Sequence, residues 1–71
     1  MQTVKFKQNA LLDCYQEGEG DYQEQVLAGE EYEFDKIELT CEDEEENGNI
    51  MTLHFEDQTM LANSLWFDVI S

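Results

Sequence analysis

The chain is poor in most of what a nucleic-acid-binding, secreted or metal-centred protein uses. Its 71 residues include no proline, one histidine, two cysteines and three basic side chains against 18 acidic ones, for a formal net charge of -15 at pH 7. Clustered Lys and Arg are needed to release counterions from phosphates, so direct binding to nucleic acid or to an anionic membrane surface is excluded. Two isolated cysteines, Cys14 and Cys41, are too few for a disulfide scaffold and read as buried thiols. His54 is the lone histidine and neither cysteine sits in a C-x-x-C pair, so no zinc set is available. Apolar runs stop at three residues, as in Leu65-Trp66-Phe67, far short of a bilayer span. The start, Met1 to Lys5, lacks an apolar h-region, so no signal peptide is expected and the expected location is cytoplasmic.

What remains is enough for a core. Apolar residues make up 41% of the chain and aromatics 11%, so high charge does not imply disorder here. One folded domain over residues 1–71 is expected, with a stability of roughly 3–5 kcal/mol. A deep catalytic cleft does not fit this size. No residue pattern names a reaction, and among 18 acids a carboxylate pair carries no catalytic signal. An enzyme is not expected.

The dominant apolar period is two, the mark of half-buried strands. Val4 and Phe6 alternate with polar neighbours over about residues 3–8. Residues 10–15 are ambiguous, because Leu11, Leu12 and Tyr15 would also suit a short helical turn. Gly18-Glu19-Gly20-Asp21 is a loop signal, residues 22–27 are a short strand or part of a long excursion, and Ala28-Gly29-Glu30 is a second turn. Tyr32 and Phe34 then share one face, whereas Ile37, Leu39 and Cys41 hold the apolar phase after Lys36. Both sets point inward only if the strand bends or bulges near Asp35-Lys36. Asn47-Gly48 marks a hairpin tip. Met51, Leu53 and Phe55 define the next strand, Glu56-Asp57-Gln58 a tight turn, and residues 59–63 another strand. Ser64-Leu65-Trp66 reads as one helical turn capped by Asn63 or Ser64, before a closing strand over residues 67–70. Trp66 is assigned to the core and His54 to an exposed strand face. The sum is an all-β fold of about five strands.

Two stretches carry a resemblance. Ala28-Gly29-Glu30-Glu31-Tyr32-Glu33-Phe34-Asp35, and the tail Leu65-Trp66-Phe67-Asp68-Val69-Ile70, resemble short SH3-like domains of bacteriophages and related mobile elements. The likeness covers about residues 28–70. It implies a small SH3-like five-stranded barrel with a helical turn before the last strand, and a small accessory or inhibitory role. No aromatic motif matching the proline-peptide groove of signalling SH3 domains is present.

Charge gives the resemblance a direction. Residues 30–46 hold 10 of the 18 carboxylates, with Lys36 alone interrupting. Residues i and i+2 of a strand share a face about 6.6–6.8 Å apart. Glu31, Glu33 and Asp35 would form an outward row, Glu38 and Glu42 would continue it, and Asp43, Glu44, Glu45 and Glu46 would add an acidic tip. Solubility needs a net charge of only about 2–8, and self-repulsion above that costs stability. These nine residues are therefore the candidate contact set for a basic protein surface, that of a nucleic-acid-binding protein whose phosphate groove they would occupy. The alternative is a small phage accessory module that oligomerises through sheet edges. Asp43 to Ile50 partly follows a calcium loop, but its twelfth place is His54 where a bidentate Glu belongs. No metal or cofactor is expected. Crowded carboxylates should have raised pKa values, so stability should increase as pH falls from 7.

Overall fold

In the computed structural model, which describes residues 1–71, period-two alternation produces strands wherever one face finds cover. The strands are β1 (Gln2–Phe6), β2 (Ala10–Gln16), β3 (Gly20–Val26), β4 (Glu31–Phe34), β5 (Lys36–Glu42), β6 (Asn49–Phe55), β7 (Gln58–Asn63) and β8 (Phe67–Val69), with a single 3₁₀ turn at Ser64–Trp66. The protein is all-β. Its strands form a three-stranded sheet in the order β4-β1-β8 and a five-stranded sheet in the order β3-β2-β7-β6-β5. Every pairing is antiparallel. The count is eight rather than five, and the sheets do not join into a closed barrel.

The extra strands come from residues 10–26. Gly18 (φ 89) and Gly20 (φ 90) supply the left-handed backbone of a tight turn, and residues 10–16 pair with 20–26 across it. The helical reading of residues 10–15 is therefore replaced by a strand: Leu12 and Cys14 point into the core, Leu11 and Tyr15 point out.

Both sheets feed one core. The small sheet contributes Val4, Phe6, Phe34 and Phe67, the large one Leu12, Cys14, Val26, Leu53 and Ala62. Phe6 meets Tyr32 edge-on and Phe67 at a tilt, each at 5.7 Å between ring centres. Trp66 packs against this cluster from its margin.

The bend expected near Asp35-Lys36 is where the chain changes sheets. Asp35 is the single residue between β4 and β5. Its N–H donates to the His54 carbonyl at 2.8 Å, and its Oδ2 accepts the Glu56 N–H at 3.0 Å. This exchange lets Tyr32 and Phe34 face the core from one sheet and Ile37 face it from the other.

Two inward assignments fail. Leu39 is 64% exposed, because it lies on the edge strand of the larger sheet, beyond the cover of the smaller one. Cys41 is exposed because the β5–β6 register shifts between Leu39 and Cys41. The extra residue, Thr40, turns Cys41 to the outer face opposite Ile50.

Candidate acidic binding surface

The acidic tip between β5 and β6 is a built loop. Asp43 Oδ1 accepts the N–H groups of Glu45 and Glu46 at 3.0 and 3.2 Å, and its Oδ2 accepts the Asn63 side-chain amide at 2.9 Å. Asn63 is fully buried and also donates to the Asn47 carbonyl at 2.8 Å. Its Oδ1 caps the 3₁₀ turn by accepting the Leu65 N–H at 2.8 Å. Gly48 closes the loop at φ 88, where a Cβ would lie 2.5 Å from Asn63 Oδ1. Asp43 is thus the loop's internal anchor, and Glu42, Glu44, Glu45 and Glu46 are the side chains left exposed. The Asn63 amide, followed by the backbone donors, holds the Asp43 carboxyl below its ordinary value of 3.8.

The remaining acids of the expected row are divided between the sheets. Glu31 and Glu33 lie on β4, paired with Lys5 and Thr3 on the outer face of the small sheet. Asp35 sits at the crossing. Glu38 is on the outer face of the large sheet, where it accepts Lys36 Nζ at 3.2 Å and meets the His54 ring. These bonds, Lys36 first, lower the Glu38 carboxyl below 4.5. Glu38 and Asp43 therefore shift opposite to the rise expected from crowding, because specific donors outweigh desolvation, the one opposing cause at each. His54, assigned to an exposed face, is half-buried and engaged with Glu38.

The three lysines lie away from the tip. Lys7 pairs with Asp68 at 3.5 Å, Lys36 with Glu38, and Lys5 stands in register between Glu31 and Asp68. The tip carries no cation of its own.

A second acidic end was not foreseen. β2 pairs with β7, which brings the Glu17–Glu19 turn beside the Glu56-Asp57 turn, and Glu17 N–H donates to the Asp57 carbonyl at 3.2 Å. Asp35 joins them through Glu56. Hairpin order could have located this cluster, since both turns end strands of one sheet, but the pairing of β2 with β7 spans too much sequence to be read from periodicity.

Cys14 is buried, and desolvation, then the Glu24 charge, pushes its thiol above the ordinary value. Tyr32 donates its hydroxyl to Glu30 at 2.9 Å. No group of three or more His, Cys, Asp or Glu is placed to hold a metal ion. No helix is long and apolar enough to cross a membrane. No protein-family model, curated protein or solved structure matches the chain.

Proposed function

We propose that this protein is a non-covalent binding module for a basic protein surface, that of a nucleic-acid-binding protein whose phosphate-accepting groove its carboxylates occupy. The observation that carries this reading is the acidic tip: exposed Glu44, Glu45 and Glu46 on a loop fixed by a buried asparagine, with Glu42 exposed at the end of β5 and every lysine elsewhere. A fixed loop presents its charge without an added ordering cost on binding. Such charge speeds association and discriminates between partners. With the resemblance of residues 28–70 to short SH3-like domains of phages and mobile elements, we read this binding as inhibitory and cytoplasmic.

Association with immobilised basic nucleic-acid-binding proteins, measured across a salt series, tests the reading. The on-rate should fall steeply as ionic strength rises. Replacing Glu44, Glu45 and Glu46 together by Gln should slow association more than replacing Glu31 and Glu33. Salt-insensitive binding, or equal effects of the two variants, would count against the tip.

The assembly reading keeps one observation. The outer strands of each sheet, β3 and β5, β4 and β8, have one unpaired edge. A stable ring or dimer in sedimentation would favour it.

A further inference from the structure

The outer face of the large sheet carries an apolar patch among polar side chains such as Glu38, Thr52 and Thr59, where solvent-facing strands are ordinarily polar throughout. β7 is the middle strand of the five, yet its outward Leu61 is 41% exposed. Leu11 on β2 is 58% exposed and Tyr15 is 48% exposed. Together with Ile50, Trp66 and the bulge-turned Cys41, Leu11 and Leu61 line a groove of ≈ 340 Å³. Its one carboxylate is Asp13, and no cation lines it. At one end the groove includes Asn63, the residue that anchors the acidic tip. At the other, a second depression of ≈ 200 Å³ shares Asp13 and Leu61 and continues to Tyr15 and Asp21. Lys36 is the cation on this face, and Glu38 holds it.

We infer that this groove is the docking site for a cationic segment of the partner carrying one large apolar side chain. Charge complementarity selects the occupant. The groove runs from the acidic tip past Asp13 to Asp21, so an aliphatic or aromatic anchor seated on Leu61 places flanking Lys or Arg beside carboxylates. A second copy of this chain would itself carry a net charge of -15, which opposes self-association. An apolar centre with a charged rim is the anatomy of a protein-binding site. The inference rests on the proposed affinity for a basic surface and adds how that surface is recognised: by an anchor as well as by charge.

The test uses two short Lys/Ser peptides of equal charge, one with a single central Leu and one with Ser in its place, titrated against the whole protein. Seating one Leu in the groove removes its side chain from water, so the Leu peptide should bind roughly tenfold tighter. Leu61→Ser and Leu11→Ser lie on solvent-exposed positions and should keep the fold, checked by an unchanged circular dichroism spectrum and melting curve. Each should erase the preference for Leu while leaving the salt-sensitive binding of the Ser peptide. The Leu peptide should also slow alkylation of Cys41. Equal binding of the two peptides overturns the groove and leaves the acidic surface standing. Absence of binding by both at low salt overturns the groove together with the reading it rests on. A Leu preference that survives in both variants, or a dimer abolished by Leu61→Ser, places the anchor elsewhere or fills the groove with a second copy, and either overturns the inference.

Discussion

The side-chain amide of Asn63, at the end of β7, donates to Asp43 Oδ2 at 2.9 Å across 20 residues of sequence. One buried residue thereby fixes the acidic loop, caps the 3₁₀ turn and borders the apolar groove. Its removal should be felt at all three.

Asn63→Ala leaves the Asp43 carboxylate, the Asn47 carbonyl and the Leu65 N–H without their side-chain partner. A loss of about 2–3 kcal/mol is expected in urea unfolding. Against a total of roughly 3–5 kcal/mol, that leaves a barely folded domain. A loss below about 0.5 kcal/mol would mean that water replaces these bonds.

Gly48→Ala should cost more than Gly29→Ala. Both glycines have φ 88, but a Cβ at Gly29 meets open space, whereas at Gly48 it meets Asn63 Oδ1 at 2.5 Å and Leu65 Cγ at 2.8 Å. Gly29→Ala carries only the left-handed penalty of about 1 kcal/mol. Gly48→Ala adds displacement of the Asn63 network. Parallel denaturation curves that coincide would contradict this difference.

Glu56 has φ 54 in the two-residue turn between β6 and β7. Its side chain makes no bond that the turn requires, whereas its N–H is bonded to Asp35 and survives substitution. Glu56→Gly should therefore stabilise by about 1 kcal/mol, read as a raised melting temperature.

Acid should destabilise the protein through Glu38 and Asp43. Both folded pKa values lie below their ordinary values, 4.5 and 3.8. The stability they contribute is present above those ordinary values and is lost as pH falls through the lowered ones. The melting temperature should drop below about pH 4, and the drop should be shallower in Asp43→Asn. A melting temperature that climbs steadily from pH 7 to pH 3 would show that like-charge repulsion dominates instead.

The two thiols should separate cleanly. Cys41 is exposed and Cys14 is buried with its thiol pushed up. A thiol reagent at neutral pH should label Cys41 alone, and Cys14 only after denaturant is added. Two equally fast labelling events would place Cys14 at the surface.

Local chemistry made part of this structure readable. Alternation marked Val4, Phe6 and Leu53 as the inward side of their strands, and the phase reversal after Phe34 marked a bend near Asp35-Lys36, where the chain turns out to change sheets. Asn63 was recognisable as a cap and Asn47-Gly48 as a turn. The bulge at Thr40 was hidden, since nothing in Leu39-Thr40-Cys41 distinguishes an unpaired residue from an alternating one. The pairing of β1 with both β4 and β8 depends on distant chain segments and leaves no periodic trace. Leu11 beside Leu12 defeated the period because both faces of β2 are apolar there: one leucine fills the core and the other lines the groove. For the acidic set, sequence adjacency concealed the distribution of Glu31 and Glu33 to one sheet and Glu38 to the other.

The central place of β1 between β4 and β8 has a consequence for folding in time. Thr3 donates its N–H to the Ser71 carbonyl and accepts the Ile70 N–H, each at 2.8 Å, so the first strand is held by a segment distant in sequence. A growing chain can zip the β2–β3 hairpin and later the β5–β6–β7 meander, but Val4 and Phe6 stay uncovered on one side until Phe67–Val69 emerges. Such distant pairing is slow to form. The apolar side of the first strand must therefore wait, open to chaperones or to neighbouring chains, until β8 has been made and can pair with it.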